Sequence, residues 1–144
     1  MKITWLGHSC FTVKSQGYKI VLDPYKDGSI PGLAPVREEA DQVLCSHGHG
    51  DHCGTECVSL RQGGPSPFTV ETIDAVQAKR LADEFSPAVT VPMHYRQAGV
   101  GYIVIGTVKR FTKLCDNAVT YSGSELELTP QTSRQTAVLR PQNA

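Results

Sequence analysis

The chain has 144 residues, of which 40% are hydrophobic and 19% charged, a size and mix that fit one folded domain over 1–144 and do not suggest disorder. Fourteen Lys+Arg balance fourteen Asp+Glu, so the formal net charge is zero, which argues against a nucleic-acid or anionic-membrane partner. Met1–His8 has no apolar export-signal core, and no stretch reaches transmembrane length, so the expectation is a cytoplasmic protein with five reduced cysteines.

Lys2–Leu6 and Ser9–Lys14 read as short strands about a Gly7-His8 turn, and Ser15-Gln16-Gly17 leads into a third strand, Tyr18–Leu22. Tyr25–Glu39 reads as loop, broken by Gly28, Pro31, Gly32 and Pro35. Gln42–Ser46 is a buried-type strand, and it delivers the next residues from its carboxyl end, where α/β sheets place ligands. Arg61–Pro67 is rich in Gly and Pro, and Phe68–Val70 suits a strand. Asp74–Phe85 predicts an amphipathic helix with Val76, Leu81, Ala82 and Phe85 near helical spacing, opened by an Asp74/Gln77 capping box and ended by Ser86-Pro87. Ala88–Val91 is a strand. Thr107–Cys115 predicts a second helix with Val108, Phe111, Leu114 and Cys115 inward, and Ala118–Tyr121, Leu126–Leu128 and Thr136–Leu139 are closing strands. Strands followed by mixed units suggest a sheet-rich α/β layered domain.

The chemistry concentrates in His47-Gly48-His49-Gly50-Asp51-His52. Imidazole nitrogen and carboxylate oxygen are ligands of catalytic zinc, and glycine spacers let a loop wrap closely about an ion. The competing reading is a polar surface loop that binds nothing. Cys53 and Cys57 flank the loop, so a thiolate could complete a site, or a C-x3-C pair could make a structural zinc knot. Cys10, Cys45 and Cys115 read as core residues.

The His loop after a buried strand resembles the signature of the metallo-β-lactamase superfamily. M-K-I-T-W-L-G-H-S-C-F at Met1–Phe11, I-V-L-D-P at Ile20–Pro24 and V-P-M-H-Y at Val91–Tyr95 resemble its bacterial branch of small metal-dependent hydrolases, the ascorbate-6-phosphate lactonase type included. The resemblance implies an αββα sandwich with a one- or two-metal site at one edge of the sheets. By that pattern His47 and His49 belong to a first metal, and Asp51, His52 and the late His94 to a second. Zn2+ is the implied ion, with Mn2+ or Fe2+ as alternatives. The chain departs from the pattern in its middle. The family's further histidine and bridging aspartate have no counterpart, because no histidine lies between His52 and His94 and the aspartates there, Asp74 and Asp83, fall on the expected helix. This reads as an internal deletion joined near Thr72–Asp74, truncating the sandwich.

The implied site is therefore a single metal on Asp51, His52 and His94, with the first position weak or empty. Asp51 is the candidate to orient or deprotonate the attacking water. His8 could contact substrate or be satisfied by backbone. Asp23 could hold a metal-bound histidine from behind or be a simple turn residue. Arg96 could bind an anionic group or be merely solvated, and Tyr95 and Tyr102 could line a pocket or pack. The leading function is hydrolysis of a small ester, lactone or phosphorylated molecule. The alternative is a degenerate relative that binds metal with little turnover, and a nuclease is disfavoured by the charge balance. Loss of middle strands would leave bare sheet edges, which predicts a homo-oligomer.

Overall fold

The computed structural model describes residues 1–61, 66–67 (backbone only) and 74–144. The expected strand Phe68–Val70, much of the Gly/Pro-rich 61–67 stretch and the join near Thr72–Asp74, apart from Asp74 itself, lie outside the described residues.

Strand β1 (Lys2–Gly7) pairs antiparallel with β2 (Cys10–Ser15), which pairs with β3 (Tyr18–Leu22). Beyond β3 lie β5 (Gln42–Cys45) and β7 (Ser66–Pro67), both parallel additions, and on the other side of β1 lies β10 (Glu125–Glu127), giving a six-stranded sheet. A three-stranded parallel sheet is built from β8 (Val89–Thr90), β11 (Gln135–Val138) and β9 (Ala118–Thr120) in that order. A small pair joins β4 (Glu38–Ala40) to β6 (Val58–Leu60), the latter preceded by a 3-10 turn over Thr55–Cys57. The pair β4/β6 was not expected; its three-residue strands are too short to show an alternation in sequence.

Successive side chains of a strand point to opposite faces, and the large sheet uses both. Trp5 and Phe11 point to one face and pack with Leu126, Ala137, Val138 and Leu139, filling the space between the two main sheets. Their neighbours Leu6 and Cys10 point the other way and pack with Val21, Val43, Cys45, Tyr25, Ile30 and Val36. The last three come from the Pro-rich loop after β3, so a loop covers the outer face of this sheet. The fold is a mixed α/β sandwich of two sheets.

The helices carry less of the core than expected. Helix α1 (Ala75–Phe85) has the anticipated capping box, with the Asp74 carboxylate accepting from the Val76 and Gln77 N–H groups and the Gln77 side chain accepting from the Asp74 N–H. Yet none of its residues is buried, and Val76, Leu81 and Phe85 are 51%, 40% and 76% exposed. Of the four apolar residues at helical spacing only Ala82 is half-buried, as are Ala75 and Ala78, while Val76, Leu81 and Phe85 stay exposed. The second expected helix shrinks to α2 (Lys109–Thr112), flanked by tighter i to i+3 turns. It buries Phe111 but leaves Leu114 41% exposed.

Residues 28–33 pass close to residues 99–102. The Gly101 N–H donates to the Pro31 carbonyl at 2.9 Å and the Tyr102 hydroxyl to the Ser29 carbonyl at 2.7 Å. Gly32 sits in this contact at φ +79°, and a Cβ there would lie 2.0 Å from the Gly99 carbonyl oxygen. Gly32→Ala is therefore expected to cost about 2–4 kcal/mol, from strain plus forced separation of two backbones, read by urea denaturation. A loss under about 0.5 kcal/mol would show that the two loops part freely.

Candidate metal centre

Parallel pairing of β3 with β5 sets Leu22 beside Leu44, so both strands end together. Asp23 follows the first and Ser46 the second. Asp23 is 5% exposed; it accepts from the Ser46 N–H at 2.5 Å, from the Ser46 hydroxyl at 2.7 Å and from His52 Nδ1 at 2.9 Å. The loop between Ser46 and His52 is closed by turns, with the His52 and Cys53 N–H groups donating to the His49 carbonyl. It is tied to the loop after β3 by Lys26 N–H to Gly50 O at 2.7 Å and Gly54 N–H to Pro24 O at 2.6 Å. Gly54 permits that approach, since a Cβ would lie 2.5 Å from Lys26 N. Gly48 and Gly50 do not act as the sequence suggested: neither adopts positive φ, and a Cβ on Gly48 would meet nothing within 4 Å.

Two further elements reach this loop. The β1–β2 turn brings His8, 3% exposed, and the segment after β8 brings His94. His8, Asp51, His52 and His94 each offer one ligand atom, all within 4.8 Å of one another. His8 Nε2 lies 3.3 Å and His52 Nε2 3.7 Å from Asp51 Oδ2, and the His8 and His94 ring centroids are 4.2 Å apart. His47, His49 and Asp51 form a second, more open group. Asp51 belongs to both. The His47–His49 pair thus has a third donor that the linear ligand count lacked.

The site environment keeps these groups ready for a cation. Burial, then the neighbouring His94 and His52, push His8 down to about 4. Burial and His52 also lower His94. For Asp23, burial works upward, but the hydrogen bonds from His52 and Ser46 outweigh it and hold the carboxyl below its ordinary value. For Asp51, burial again works upward, and its own backbone N–H, His52 and His8 prevail downward. Neutral imidazoles and ionised carboxylates are the forms that bind metals. The buried His8 Nδ1 has no hydrogen-bond partner among the described residues. The nitrogens and carboxylate oxygen of Asp51, His52 and His94 converge as a divalent cation requires, with His8 beside them, and Asp51, His52 and His94 are residues that would hold it.

Stability of the metal-free chain should follow these shifts. Unfolded imidazoles take up protons near pH 6.5, whereas folded His8 resists down to about 4, so in that window the unfolded state binds more protons. The melting temperature is expected to be level above about pH 7 and to fall as pH drops below about 6.5, with Asp23 and Asp51 adding to the loss in the carboxylate range. Calorimetry with chelator across pH 4–8 checks this; a curve flat down to about pH 5 would contradict it.

The other sequence candidates fall into place. Cys10 and Cys45 are buried core, while Cys115 is only half-buried. Cys53 packs against the core, Cys57 donates to Asp27, and neither joins a metal-ligand group among the described residues. Tyr95 is packing, its ring 5.1 Å from Trp5. Tyr102 sets its ring edge against His8, centroids 5.7 Å apart. Arg96 is half-buried. Asp74 caps α1 and Asp83 pairs with Lys79, so neither reaches the site. Ser46 was missed. Its signal was available: it ends a strand beside Asp23 and directly precedes His47.

The fold is similar to that of solved metallo-β-lactamase-type sandwiches. The profile of the beta-lactamase superfamily domain matches residues 2–71, which include the whole His loop. A proposed zinc-dependent hydrolase of the metallo-β-lactamase superfamily from Thermotoga maritima superposes with a TM-score of 0.70 at 21% identity, covering 96% of this chain and 97% of that one. A UPF0173 metal-dependent hydrolase of Carboxydothermus hydrogenoformans is 45% identical over 65 residues, covering 44% of this chain and 29% of that protein. A UPF0173 protein of Pyrococcus abyssi is 31% identical over 131 residues, covering 81% and 60%. A UPF0173 metal-dependent hydrolase of Archaeoglobus fulgidus is 49% identical over 71 residues, covering 47% and 29%. The first half of the chain is thus similar to the beta-lactamase superfamily domain and to UPF0173 proteins, and the chain's fold is similar to that of the Thermotoga maritima structure. The chain spans 29% to 60% of the length of these curated relatives.

Proposed function

We propose that this chain is a zinc-dependent hydrolase of a small ester, lactone or phosphorylated substrate. The observation that carries the reading is the buried convergence of Asp51, His52 and His94, with His52 held from behind by Asp23. That the curated relatives bear the name metal-dependent hydrolase gives it chemical direction. A divalent ion there would supply Lewis acidity and activate water near neutral pH. The chain's own part is to place the donors. Asp23 fixes the His52 tautomer, with Nδ1 toward Asp23 and Nε2 toward Asp51. Asp51 is ionised and can accept a proton from water, although its lowered pKa suits a ligand better than a strong base. Zinc in place of manganese or iron, and a lactone or phosphorylated substrate in place of a plain ester, are parts of the proposal.

The test is metal content by elemental analysis together with chelator-sensitive turnover of generic ester and phosphodiester substrates. About one firmly held ion per chain with turnover lost in chelator is expected. Bound metal without turnover would favour the second reading, a relative that binds metal but does little chemistry. Its supporting observation is the absence of any histidine between His52 and His94.

We propose further that the chain self-associates, in the cytoplasm and without nucleic-acid or membrane partners. Among the described residues no helix is long and apolar enough to cross a membrane. Exposed Leu81 and Phe85 and the exposed edge strand β9 support association with a second copy. Phe85→Lys is expected to lower the assembly state in light scattering while shifting stability by less than about 0.5 kcal/mol. A wild-type chain monomeric at high concentration would end this reading.

A further inference from the structure

We infer that His8 is itself a metal ligand, closing the Asp51–His52–His94 centre with a fourth protein donor. The inference rests on the metal-site reading above and concerns how that site is completed. The first observation is proximity: His8 offers a nitrogen within 4.8 Å of the ligand atoms of all three other residues. The second is burial without satisfaction. The residue is 3% exposed, its Nδ1 has no partner among the described residues, and its Nε2 makes only a long 3.3 Å contact to Asp51. A buried imidazole left this poorly paired is costly unless something else engages it.

The third observation is backbone strain. Five non-glycine residues among those described have positive φ, and three are at this site: His8 at 53°, Asp23 at 43° and His94 at 56°. The left-handed region is unfavourable for a residue with a Cβ and persists only where the surroundings enforce it. Here they do. The His8 carbonyl accepts from Trp5 Nε1 at 3.0 Å and from the His94 N–H at 3.0 Å. One hydrogen bond therefore couples the two strained histidines, and the buried Trp5 clamps the pair. This holds both imidazoles at one point, which a histidine satisfied by backbone would not require.

Three histidines and one aspartate would supply four protein donors, as many as a closed zinc site uses. Zinc sites of four protein ligands are of the closed, retentive type, whereas catalytic sites keep a position for water. In the resting protein the metal would then be shielded from small anions, and substrate or water would enter only as His8 leaves or as a fifth ligand.

The experiment is a Co2+ titration of the full chain, followed by visible absorption and then by added azide. The wild type is expected to show an intense four-coordinate spectrum that azide leaves unchanged. His8→Ala is expected to bind Co2+ at least about tenfold more weakly and to acquire an azide-dependent spectrum, since a vacated position admits the anion. His8→Gln, similar in volume and without an imidazole, replaces the alanine variant if the latter fails to fold by circular dichroism. Equal Co2+ affinity and equal azide response in the wild type and the His8 variant would overturn the assignment while leaving the metal site intact. Failure of the wild type to bind Co2+ at all would overturn the metal reading, and this inference with it.

Discussion

Asp23→Ala is expected to destabilise the chain by about 3–5 kcal/mol and to weaken metal binding by about 10–100-fold. The reason is arithmetic on donors. Asp23 accepts from the Ser46 N–H, the Ser46 hydroxyl and His52 Nδ1, all in a place where water scarcely reaches. Alanine leaves these donors without their acceptor, and each buried orphan costs about 1–3 kcal/mol. Ser46 Oγ can turn toward the nearby His47 Nδ1 at 3.0 Å, which recovers part of the loss. Asp23→Asn separates the two effects. It keeps the volume and one acceptor, so stability should suffer less, but its amide no longer imposes the tautomer of His52, so metal affinity should still fall. Urea denaturation and metal titration on both variants read the two quantities. A loss below about 1 kcal/mol in the alanine variant would show that the pin is not structural.

His52→Ala is the second large effect, and it falls on binding. His52 is 7% exposed and stands between both donor groups, its ring centroid 4.1 Å from that of His47 and 5.3 Å from that of His94. Its removal takes a ligand, leaves Asp23 without its imidazole partner and opens a hole in the site. Metal content after gel filtration is expected to drop to background, with affinity reduced by at least about 100-fold. A ligand that binds only the folded state at 100 times its Kd adds about 2.7 kcal/mol of stability, so the rise in melting temperature on adding zinc should also vanish. His49→Ala is the comparison. His49 is exposed and belongs only to the outer group, so its loss should spare the tightly held ion. Equal losses in the two variants would mean that both groups act as one two-metal centre, with Asp51 shared between them.

How much of this was legible beforehand differs by element. The strands β1, β2, β3 and β5 were readable within a residue or so, because alternation and turn residues are local signals. The helix α1 and its cap were equally readable, since Asp74 and Gln77 bond to the turn that they open. What α1 packs against was not readable. Its apolar residues obey helical spacing, but which side meets the body depends on neighbours far along the chain. The 107–115 segment failed for a related reason: short turns and a true helix share the same apolar spacing over so few residues.

The candidate site divides in the same way. His47, His49, Asp51 and His52 announce themselves because metal donors are crowded into six residues of one loop, and proximity in the chain guarantees proximity in space. His94 was reachable only through resemblance to a family. His8, Asp23 and Ser46 were undecided or unnoticed, because their roles are set by strand register and by a single backbone bond between His8 and His94. Sequence by itself determined the donor types, the strand that presents the loop and the balance of charge, all of which are local or summed properties. Tertiary structure alone decided that His8 faces the metal donors, that Asp23 pins His52 and that Leu81 and Phe85 remain bare. The first two are contacts between residues dozens of positions apart and the third depends on what packs beside α1, and both exist only once the sheets have paired.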